Sequence, residues 1–446
     1  MRNIFRRIWS NRRWNIVQHG WWHQKPIEKT PWSIISTQRD TTNPSVVDMR
    51  DKYGAVSFSE VVEAVKPEVV WCMGDPWMVS VVLNNPRRHT YRAIFYCPVD
   101  GAPTNYEPWA IIKEADIVVP YLPWGKKVLE RWQPKARIVD PIPHGVDTEL
   151  YKPCSTFDRD ATRKNLGVGP QDVLMTSVSR NQTRKNLPAL IELSYYLRTG
   201  DYQVCSVCGH AYRNPYDYHM GRPSGQKAMC TSPLCWYDKL SGPSMLPGTP
   251  HPNFYYYIHT PINDLEDSSW KLLNVLDTFG LGVKVDDKIR YPGFLWNESL
   301  KIVHGINEQE LALLYASSDV FALPSTGEGF GLPLLEAMSC GVPVLTSNVS
   351  SHPDFTGEAG HVVPCGHYVC ETLSGYYRGY MDLDLGLDAL LDLVDNPETR
   401  REHGRRAREV ALEYDWNKIA TRWVSLIDEQ VKLAAPGRRW QKTVSV

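Results

Sequence analysis

The sequence predicts an α/β protein built from two doubly wound domains, and two observations support that prediction. Short apolar runs alternate with amphipathic helical stretches along most of the 446 residues, which is the pattern of parallel sheets covered by helices on both faces. The alternation restarts after a polar stretch near Pro153. Because a single hydrophobic core rarely grows beyond about 250–300 residues, the length also favours two domains.

The first domain is expected over residues 1–150. A short amphipathic helix, SEVVEAVK, is stopped by Pro67 and precedes the first of several buried strands. A second helix, WGKKVLERW, separates the last two strands. The strands predicted around these helices are EVVWCMG, RAIFYC, DIVVPYL and ARIVDPIP.

The second domain is expected over residues 151–415. Its predicted strands are DVLMTSVS, FYYYIHT, DVFALP and GVPVLTS, and its predicted helices are NLPALIELSYYL, INEQELALLYAS and PLLEAMSC. Residues 201–252 interrupt this pattern with a stretch rich in Cys, Gly, Pro and Tyr, which we interpret as an insertion. Two helical stretches close the chain, the later one over residues 416–435. Sheets of this kind bind ligands at the carboxyl ends of their strands.

Composition excludes several classes of protein. The 49 Lys and Arg against 50 Asp and Glu give a net charge of −1, which excludes a generally basic nucleic-acid coat and an acidic disordered tail. No apolar run reaches the roughly 18 residues that span a bilayer, and arginines occupy the place of a signal peptide's apolar stretch, so we expect a cytoplasmic protein. The 16 Trp and 23 Tyr fit either thick cores or a cleft for flat-faced ligands such as sugars and bases.

The segment LPSTGEGFGLPLLEAMSCGVPVLTS, residues 323–347, has the strongest chemical signal. A strand leads into a Gly-rich loop and then a helix, where the amides of Gly331 and Leu332 would form a phosphate site at the positive end of the helix dipole. Glu336, expected in the first helical turn, would accept two hydrogen bonds from a vicinal diol such as a ribose, and Glu328 would lie beyond the phosphate. Alternatively, the glycines only form a turn and Glu336 is a favourable helix charge.

The Glu-x7-Glu spacing in this segment resembles the signature of the family 4 retaining glycosyltransferases. Their fold, GT-B, has two facing Rossmann-like domains with a cleft between them. Further segments match in order: PHGVDTELYKP resembles the family's interdomain segment, SVSRNQTRKNLPALI the segment that binds the donor diphosphate, and YDWNKIATRWVSLI the last helix, which crosses back to the first domain. The resemblance covers nearly all of residues 60–430 apart from the insertion.

The resemblance implies transfer of a sugar, typically a hexose, from a nucleotide-diphosphate sugar to an acceptor hydroxyl with retention of configuration. No cofactor is then required for catalysis. Arg180 and Lys185 would clamp the diphosphate and stabilise the charge on the leaving group, as a metal does in other enzymes. Glu336 would hold the ribose and Glu328 the donor sugar. Backbone contacts to the donor would come from Gly329, Phe330, Gly331 and Leu332.

The resemblance also leaves two expectations for the first domain. Many family members place a His at the end of a strand facing the donor, where FYCPVDG has Asp100. This carboxylate either orients or deprotonates the acceptor hydroxyl, or it caps a turn before Gly101. The run WNIVQHGWWHQ resembles the family's second strand, so the first strand and its Gly-rich loop are expected to be missing.

Four cysteines in the insertion have the spacing of a zinc site. Cys205 and Cys208 form a CxxC, and Cys230 and Cys235 follow as a second close pair. Two such pairs suit a tetrahedral structural zinc with no open coordination position. The alternative is four reduced thiols.

The N-terminus is basic and rich in tryptophan. Six Lys and Arg precede the first acid, Glu28, so this segment either contacts an anionic membrane surface or packs its tryptophans inward as a solvated helix. The acceptor is expected to be a glycan, a lipid or a small molecule.

Two other functions compete with the enzyme: a catalytically weakened glycosyltransferase-like binding module, and a glycosyltransferase acting on modified nucleic-acid bases. The intact Glu328, Glu336, Arg180 and Lys185 favour the enzyme. The balanced charge disfavours a nucleic-acid partner, because such binding normally shows a basic footprint.

Overall fold

The computed structural model describes residues 14–20, 32–36, 54–105, 107–214, 216–217, 222–223, 244–262, 269–297, 306–371, 375–434 and 443–445. The chain divides into two compact units, Met1–Asp147 with Tyr414–Val446, and Thr148–Glu413. Each unit contains a six-stranded sheet. Neighbouring strands run parallel throughout both sheets, which confirms the predicted α/β class.

The amino-terminal part of the first unit follows the predicted alternation. Its strands are β1 (Asn15–Gly20), β2 (Ser33–Ser36), β3 (Val69–Met73), β4 (Arg92–Cys97) and β5 (Ile117–Pro120). Its α-helices are α1 (Ala55–Val65), α2 (Ser80–Leu83) and α3 (Pro123–Trp132), and 3-10 turns occur at Arg88–Thr90 and Glu107–Glu114. Helix α1 ends as predicted before Pro67, with Lys66 in the left-handed conformation at φ 52°.

One predicted strand of this unit is wrong. Residues 136–143, ARIVDPIP, run beside β5 with an isolated bridge between Val118 and Ile138 and a hydrogen bond from the amide of Ile142 to the carbonyl of Pro120, but they form no continuous strand. Pro141 and Pro143 have no backbone N–H, so this stretch lacks two of the donors that a continuous ladder needs.

The second unit contains more strands and helices than the first. Its strands include β6 (Val173–Val178), β7 (Tyr202–Cys205), β8 (Ala211–Arg213), β9 (Met245–Pro247), β10 (Phe254–His259), β11 (Phe294–Trp296), β12 (Val320–Leu323), β13 (Val344–Ser347), β14 (Gly360–Val363), β15 (Cys365–Glu371) and β16 (Tyr376–Met381). Its helices are α4 (Thr156–Asn165), α5 (Leu187–Thr199), α6 (Leu272–Thr278), α7 (Glu308–Ala316), α8 (Leu332–Ser339), α9 (Pro353–Thr356), α10 (Leu383–Asp395) and α11 (Pro397–Glu413). A 3-10 turn, Thr183–Lys185, precedes α5.

The central sheet of this unit has the order β11-β10-β6-β12-β13-β14. Strands β12 and β13 are buried at every position, which explains why their sequences read as continuous apolar runs rather than alternating ones. The core between the sheet and the helices includes Leu190, Tyr256, Leu345, Leu387 and Leu390, all fully or almost fully buried. Strands β15 and β16 form an antiparallel hairpin.

The described part of the insertion forms its own small sheet. Strands β9, β7 and β8 pair antiparallel in that order. Arg213 on β8 bonds Asp384 of α10 at 2.8 Å and contacts Glu192 of α5. The insertion is therefore anchored to two helices of the second unit by charged contacts.

The chain ends in the first unit with α12 (Trp416–Leu433) and β17 (Thr443–Ser445). Strand β17 lies between β1 and β3, so the first sheet has the order β2-β1-β17-β3-β4-β5. Trp423 of α12 is fully buried, with its ring edge-on to Trp71 and Tyr96 at centroid distances of 5.6 and 4.8 Å. Several tryptophans of this chain therefore build a core rather than a binding surface.

None of the helices in the part of the chain that the structure describes is both long and apolar enough to cross a membrane.

Candidate functional site

The Gly-rich loop of the second unit connects β12, which ends at Leu323, to α8, which begins at Leu332. The loop therefore lies at the carboxyl end of a central parallel strand, where this class of sheet binds ligands. Gly331 caps α8 at φ 94°, a conformation that side chains with a Cβ rarely adopt. The first amides of a helix have no intrahelical partner, so they are available to an anion at this end of the loop.

The carboxylate of Glu328 is enclosed by two cations. Nζ of Lys185 contacts Oε1, and Nη1 of Arg184 lies 2.9 Å from Oε2. The hydroxyl of Ser325 also donates to Oε1 at 2.8 Å. Burial alone would raise the pKa of Glu328, but the charges of Lys185 and Arg184 outweigh it and lower the pKa to about 2. Glu328 is therefore ionised at neutral pH.

Backbone contacts hold this loop against its surroundings. The amide of Thr326 donates to the carbonyl of Arg184 at 2.7 Å, which joins the loop to the 3-10 turn that carries both cations. The hydroxyl of Ser350 accepts from the amide of Glu328 at 2.8 Å, and that of Ser351 donates to the Glu328 carbonyl at 2.8 Å. The position of Glu328 is thus fixed by the chain on both sides.

The charges of this cluster favour an anionic ligand. Lys185 and Arg184 carry two positive charges against the single negative charge of Glu328. The amino terminus of α8 adds the equivalent of about half a positive charge. The loop therefore offers a net positive environment next to unpaired helix amides, which suits a phosphate or diphosphate.

Glu336 lies farther along α8 than the sequence indicates. Because α8 begins at Leu332, Glu336 is its fifth residue and lies in the second turn, not the first. Oε2 of Glu336 accepts a hydrogen bond of 2.9 Å from the buried phenol of Tyr315. Burial raises the pKa of Glu336 to about 7, although the Tyr315 hydrogen bond opposes this shift. One carboxylate oxygen is therefore occupied by the protein, and Oε1 is the oxygen more readily offered to a ligand.

The remaining predicted donor-site residues fall in two groups. Lys185 is joined to Glu328, but Arg180 lies in the loop after β6 with an exposed side chain and is not among the groups that bond Glu328. The side chain of Phe330 stacks on Phe355 with the rings 4.9 Å apart, so only its backbone is available to a ligand. Gly329 is half-buried and Leu332 is exposed.

Asp100 belongs to the first unit. It lies three residues after β4 and is half-buried. In the insertion, Cys205 is buried and Cys208 is half-buried. Cys230 and Cys235 lie outside the described residues, as do the basic residues of the N-terminus and their tryptophans from Trp9 to Trp22 other than Trp14.

Sequence reasoning missed three residues of this site. Arg184 is adjacent to Lys185 in TRKN. The sequence shows its charge but not the direction in which its side chain points. Tyr315 looked like one more apolar residue of α7. His352 is fully buried, with Nδ1 2.7 Å from the Thr346 hydroxyl and an unpartnered Nε2, and a Cβ on Gly331 would lie 3.3 Å from Nε2. Burial lowers the pKa of His352 to about 4, so it is neutral.

Comparison with known proteins shows what this fold and part of this site are similar to. Residues 294–373, which include Glu328 and Glu336, match the family model described as "Glycosyl transferases group 1". A sucrose-phosphate synthase from Thermosynechococcus elongatus superposes with a TM-score of 0.66 at 17% identity, covering 96% of this chain and 92% of that one. Residues 294–373 are therefore similar to group 1 glycosyltransferases, and the chain has the GT-B fold.

Two further proteins refine this similarity. The Anabaena protein HepE in complex with UDP and glucose superposes with a TM-score of 0.57 at 12% identity, covering 90% of this chain and 86% of that one. A Mycolicibacterium hassiacum protein named MMP alpha-(1->4)-mannosyltransferase is 32% identical over 138 residues, which is 30% of this chain and 31% of that relative. The chain matches less than a third of the length of the first curated relatives.

Proposed function

We propose that this chain is a retaining glycosyltransferase that transfers a sugar from a nucleotide-diphosphate sugar to an acceptor hydroxyl. The observation that carries the proposal is the placement of Lys185 and Arg184 around the Gly-rich loop that leads into α8. Cations and helix amides at one point form a site for a diphosphate, and Glu336 lies one turn further along the same helix, where a ribose attached to that diphosphate would follow.

The proposed chemistry depends on charge. Breaking the sugar–phosphate bond leaves negative charge on the departing diphosphate, which fixed cations and amides stabilise more strongly in the transition state than in the ground state. Lys185 and Arg184 would supply this stabilisation, with Arg180 as a third cation from the same segment. Glu328, ionised and held by both chain and cations, would orient the donor sugar or stabilise positive charge that develops on it.

The identities of the donor base, the donor sugar and the acceptor are open within this proposal. The named relatives include a mannosyltransferase and a protein bound to UDP and glucose, so uridine and guanosine nucleotides are the first to test. Asp100 remains the proposed residue for orienting or deprotonating the acceptor.

Ligand-induced stabilisation tests the donor site first. UDP, GDP, ADP and their hexose derivatives are added to the full chain, and the melting temperature is measured. A ligand present at 100 times its dissociation constant stabilises the native state by about 2.7 kcal/mol. The proposal would be contradicted if no nucleotide or nucleotide sugar raised the melting temperature of either the wild type or Glu336→Ala.

Slow hydrolysis of the bound donor tests catalysis and stereochemistry without a known acceptor. Proton NMR of the first sugar released reports its anomeric configuration before mutarotation. The donor's own configuration supports retention, and the opposite configuration contradicts it. Nucleotide binding without turnover would instead support the binding module.

Two further expectations also remain proposals. Cys205, Cys208, Cys230 and Cys235 would hold one structural zinc, to be tested by metal analysis of the four-serine variant. The basic N-terminus would bind anionic lipid, which co-sedimentation with phosphatidylglycerol vesicles and with neutral phosphatidylcholine vesicles would test.

A further inference from the structure

Two histidines and one carboxylate converge on the second unit, away from the Gly-rich loop. His361 lies on the edge strand β14, Asp392 on α10 and His403 on α11. One ligand atom of each side chain lies within 4.8 Å of the others. Among the described residues, this is the one group of three or more His, Cys, Asp or Glu side chains that approach so closely.

Hydrogen bonds orient the three side chains toward a shared point. Nε2 of His361 lies 2.9 Å from Oδ2 of Asp392. Nδ1 of His403 lies 2.8 Å from the backbone carbonyl of Glu358, and a carbonyl only accepts, so Nδ1 carries the hydrogen and Nε2 keeps its lone pair. Asn396 donates to the other oxygen of Asp392 at 2.7 Å. The bonds with Glu358 and Asn396 come from outside the three side chains, and outer hydrogen bonds of this kind fix the orientation of metal ligands in proteins.

An ion would replace the direct hydrogen bond between His361 and Asp392, whose atoms lie 2.9 Å apart, and would need only small changes in the positions of the three side chains. The two imidazole rings lie 5.3 Å apart at 63°, and the side chains of His361 and Asp392 are 29% and 38% exposed. Tetrahedral zinc with nitrogen and oxygen ligands at about 2.0–2.2 Å places the ligand atoms about 3.3 Å apart. Rotation of half-exposed side chains supplies such a change without moving the backbone.

We propose that His361, Asp392 and His403 form a binding site for a divalent transition metal of the zinc class. Imidazole nitrogen favours zinc, copper and nickel over magnesium and calcium, which select oxygen ligands. Three protein ligands leave the fourth tetrahedral position to water or to a ligand from a partner. The ion would join the edge strand β14 to helices α10 and α11.

This site is independent of the proposed sugar transfer. Its ligands lie on other elements than the cluster around Glu328, so metal binding is expected whether or not the chain turns over a nucleotide sugar. The expected effect is stabilisation of the second unit, because an ion that binds only the native state raises its stability.

Equilibrium dialysis of the full chain against zinc, after removal of metals with a chelator, tests the proposal. We expect His361→Gln and His403→Gln each to bind one equivalent less than the wild type. The dissociation constant for that equivalent should rise at least about 100-fold, the upper end of what loss of a supporting hydrogen bond alone would cost. His251→Gln is the matched control, because His251 also faces a carboxylate of α10, Asp395, at 3.6 Å but belongs to no group of three among the residues that the structure describes.

Cobalt(II) separates this site from the cysteines of the insertion. Thiolate ligands produce a sulfur-to-cobalt charge-transfer band, whereas a site of two imidazoles and one carboxylate produces only ligand-field bands. We expect His403→Gln to lose ligand-field intensity and to keep any charge-transfer band. Equal zinc stoichiometry in wild type, His361→Gln and His403→Gln, with metal-free melting temperatures that show all three folded, would overturn the proposal.

Discussion

The phenolic oxygen of Tyr315 lies 2.9 Å from Oε2 of Glu336 and donates a hydrogen bond to it. Tyr315 is fully buried and Glu336 is half-buried. The bond supports the ionised form of Glu336, yet burial dominates and raises the pKa of this carboxyl group to about 7. Glu336 therefore changes charge close to neutral pH, which makes both stability and ligand binding depend on pH.

We expect Glu336→Gln to stabilise the protein above pH 7. Because the folded state holds the Glu336 proton more tightly than the unfolded state, stability falls as pH rises toward about 7. The neutral Gln avoids this loss, so the variant should gain up to about 3 kcal/mol at pH 8 and nothing near pH 4. Urea denaturation at several pH values measures the difference. Glu429→Gln, an exposed helical substitution, should show no such pH dependence.

The same residue should make nucleotide binding depend on pH. An ionised carboxylate accepts two hydrogen bonds from a ribose diol, whereas a protonated one accepts fewer, so affinity should rise as pH increases through about 7. In Glu336→Gln this rise should disappear. The ligand for this binding measurement is the nucleoside diphosphate that raises the melting temperature of the chain most.

A 2′-deoxy form of that nucleotide isolates the ribose contact. Loss of hydrogen bonds to a charged group costs about 1.5–3 kcal/mol, so Glu336→Gln should weaken the ribonucleotide by roughly 10- to 100-fold and the deoxynucleotide much less. Equal weakening of both ligands would show that Glu336 does not contact the diol.

Glu328→Gln and Lys185→Met should have different effects on diphosphate binding. The Gln substitution leaves both cations in place without their carboxylate, so diphosphate affinity should hold or increase while turnover falls. Lys185→Met removes a nearly buried cation and should weaken diphosphate binding at least 10-fold. Titration calorimetry measures both, with Lys164→Met on the exposed face of α4 as the control for loss of one positive charge.

The Glu328 substitution should also lower stability. Removing one partner of a buried ion pair leaves an uncompensated charge and costs about 3–5 kcal/mol. The pKa of Glu328 is about 2, so this ion pair contributes above the unfolded pKa and is lost as pH falls toward 2. The gap between wild type and Glu328→Gln, measured by denaturation, should therefore narrow below about pH 4. A gap that stays constant with pH would contradict the ion-pair explanation.

Gly331→Ala should damage the loop before α8 more than strain alone explains. Its φ of 94° is unfavourable for alanine, and the added Cβ would lie 3.2 Å from Leu334 and 3.3 Å from His352. Gly167, at φ 75° with no atom within 4 Å of its Cβ position, is the matched control for backbone strain. We expect Gly167→Ala to cost about 1 kcal/mol and Gly331→Ala more, with weaker nucleotide binding only in the latter. Thermal denaturation with and without nucleotide measures both.

Gly404→Ala should destabilise the protein although it lies inside a helix. Alanine in a helix interior normally gains about 0.5–1 kcal/mol over glycine. Here the added Cβ would lie 2.3 Å from the carbonyl oxygen of Gly341, so α11 would have to move away from the end of α8. Gly386→Ala in α10 is the control, because its nearest contact is the flexible side chain of Met381 at 3.0 Å. Greater stability of Gly404→Ala in urea denaturation would contradict this packing.

Helices and strands of this protein follow from local pattern. The apolar runs that became β3, β4, β6 and β12 lie where the sequence places them, because a strand buried on both faces needs consecutive apolar residues and little else. Pro67 ends the first helix because its ring fixes φ and removes the backbone N–H. Both constraints can be read directly from the sequence. The strand predicted over residues 136–143 failed for the same kind of reason, since two of its residues are prolines.

Only the tertiary structure determines which side chains contact one another in the candidate site. The spacing of Glu328 and Glu336 placed both on one loop and helix, because that relation is local. Whether Arg184 or Arg180 would face Glu328 depends on a 3-10 turn packed beside the loop, and the partner of Glu336 depends on how α7 packs against α8. His361, Asp392 and His403 come together from three separate elements, so no local sequence pattern predicts that they meet. Such contacts arise only when separate elements pack together, and packing also sets the burial that gives Glu336 a pKa of about 7 and Glu328 one of about 2.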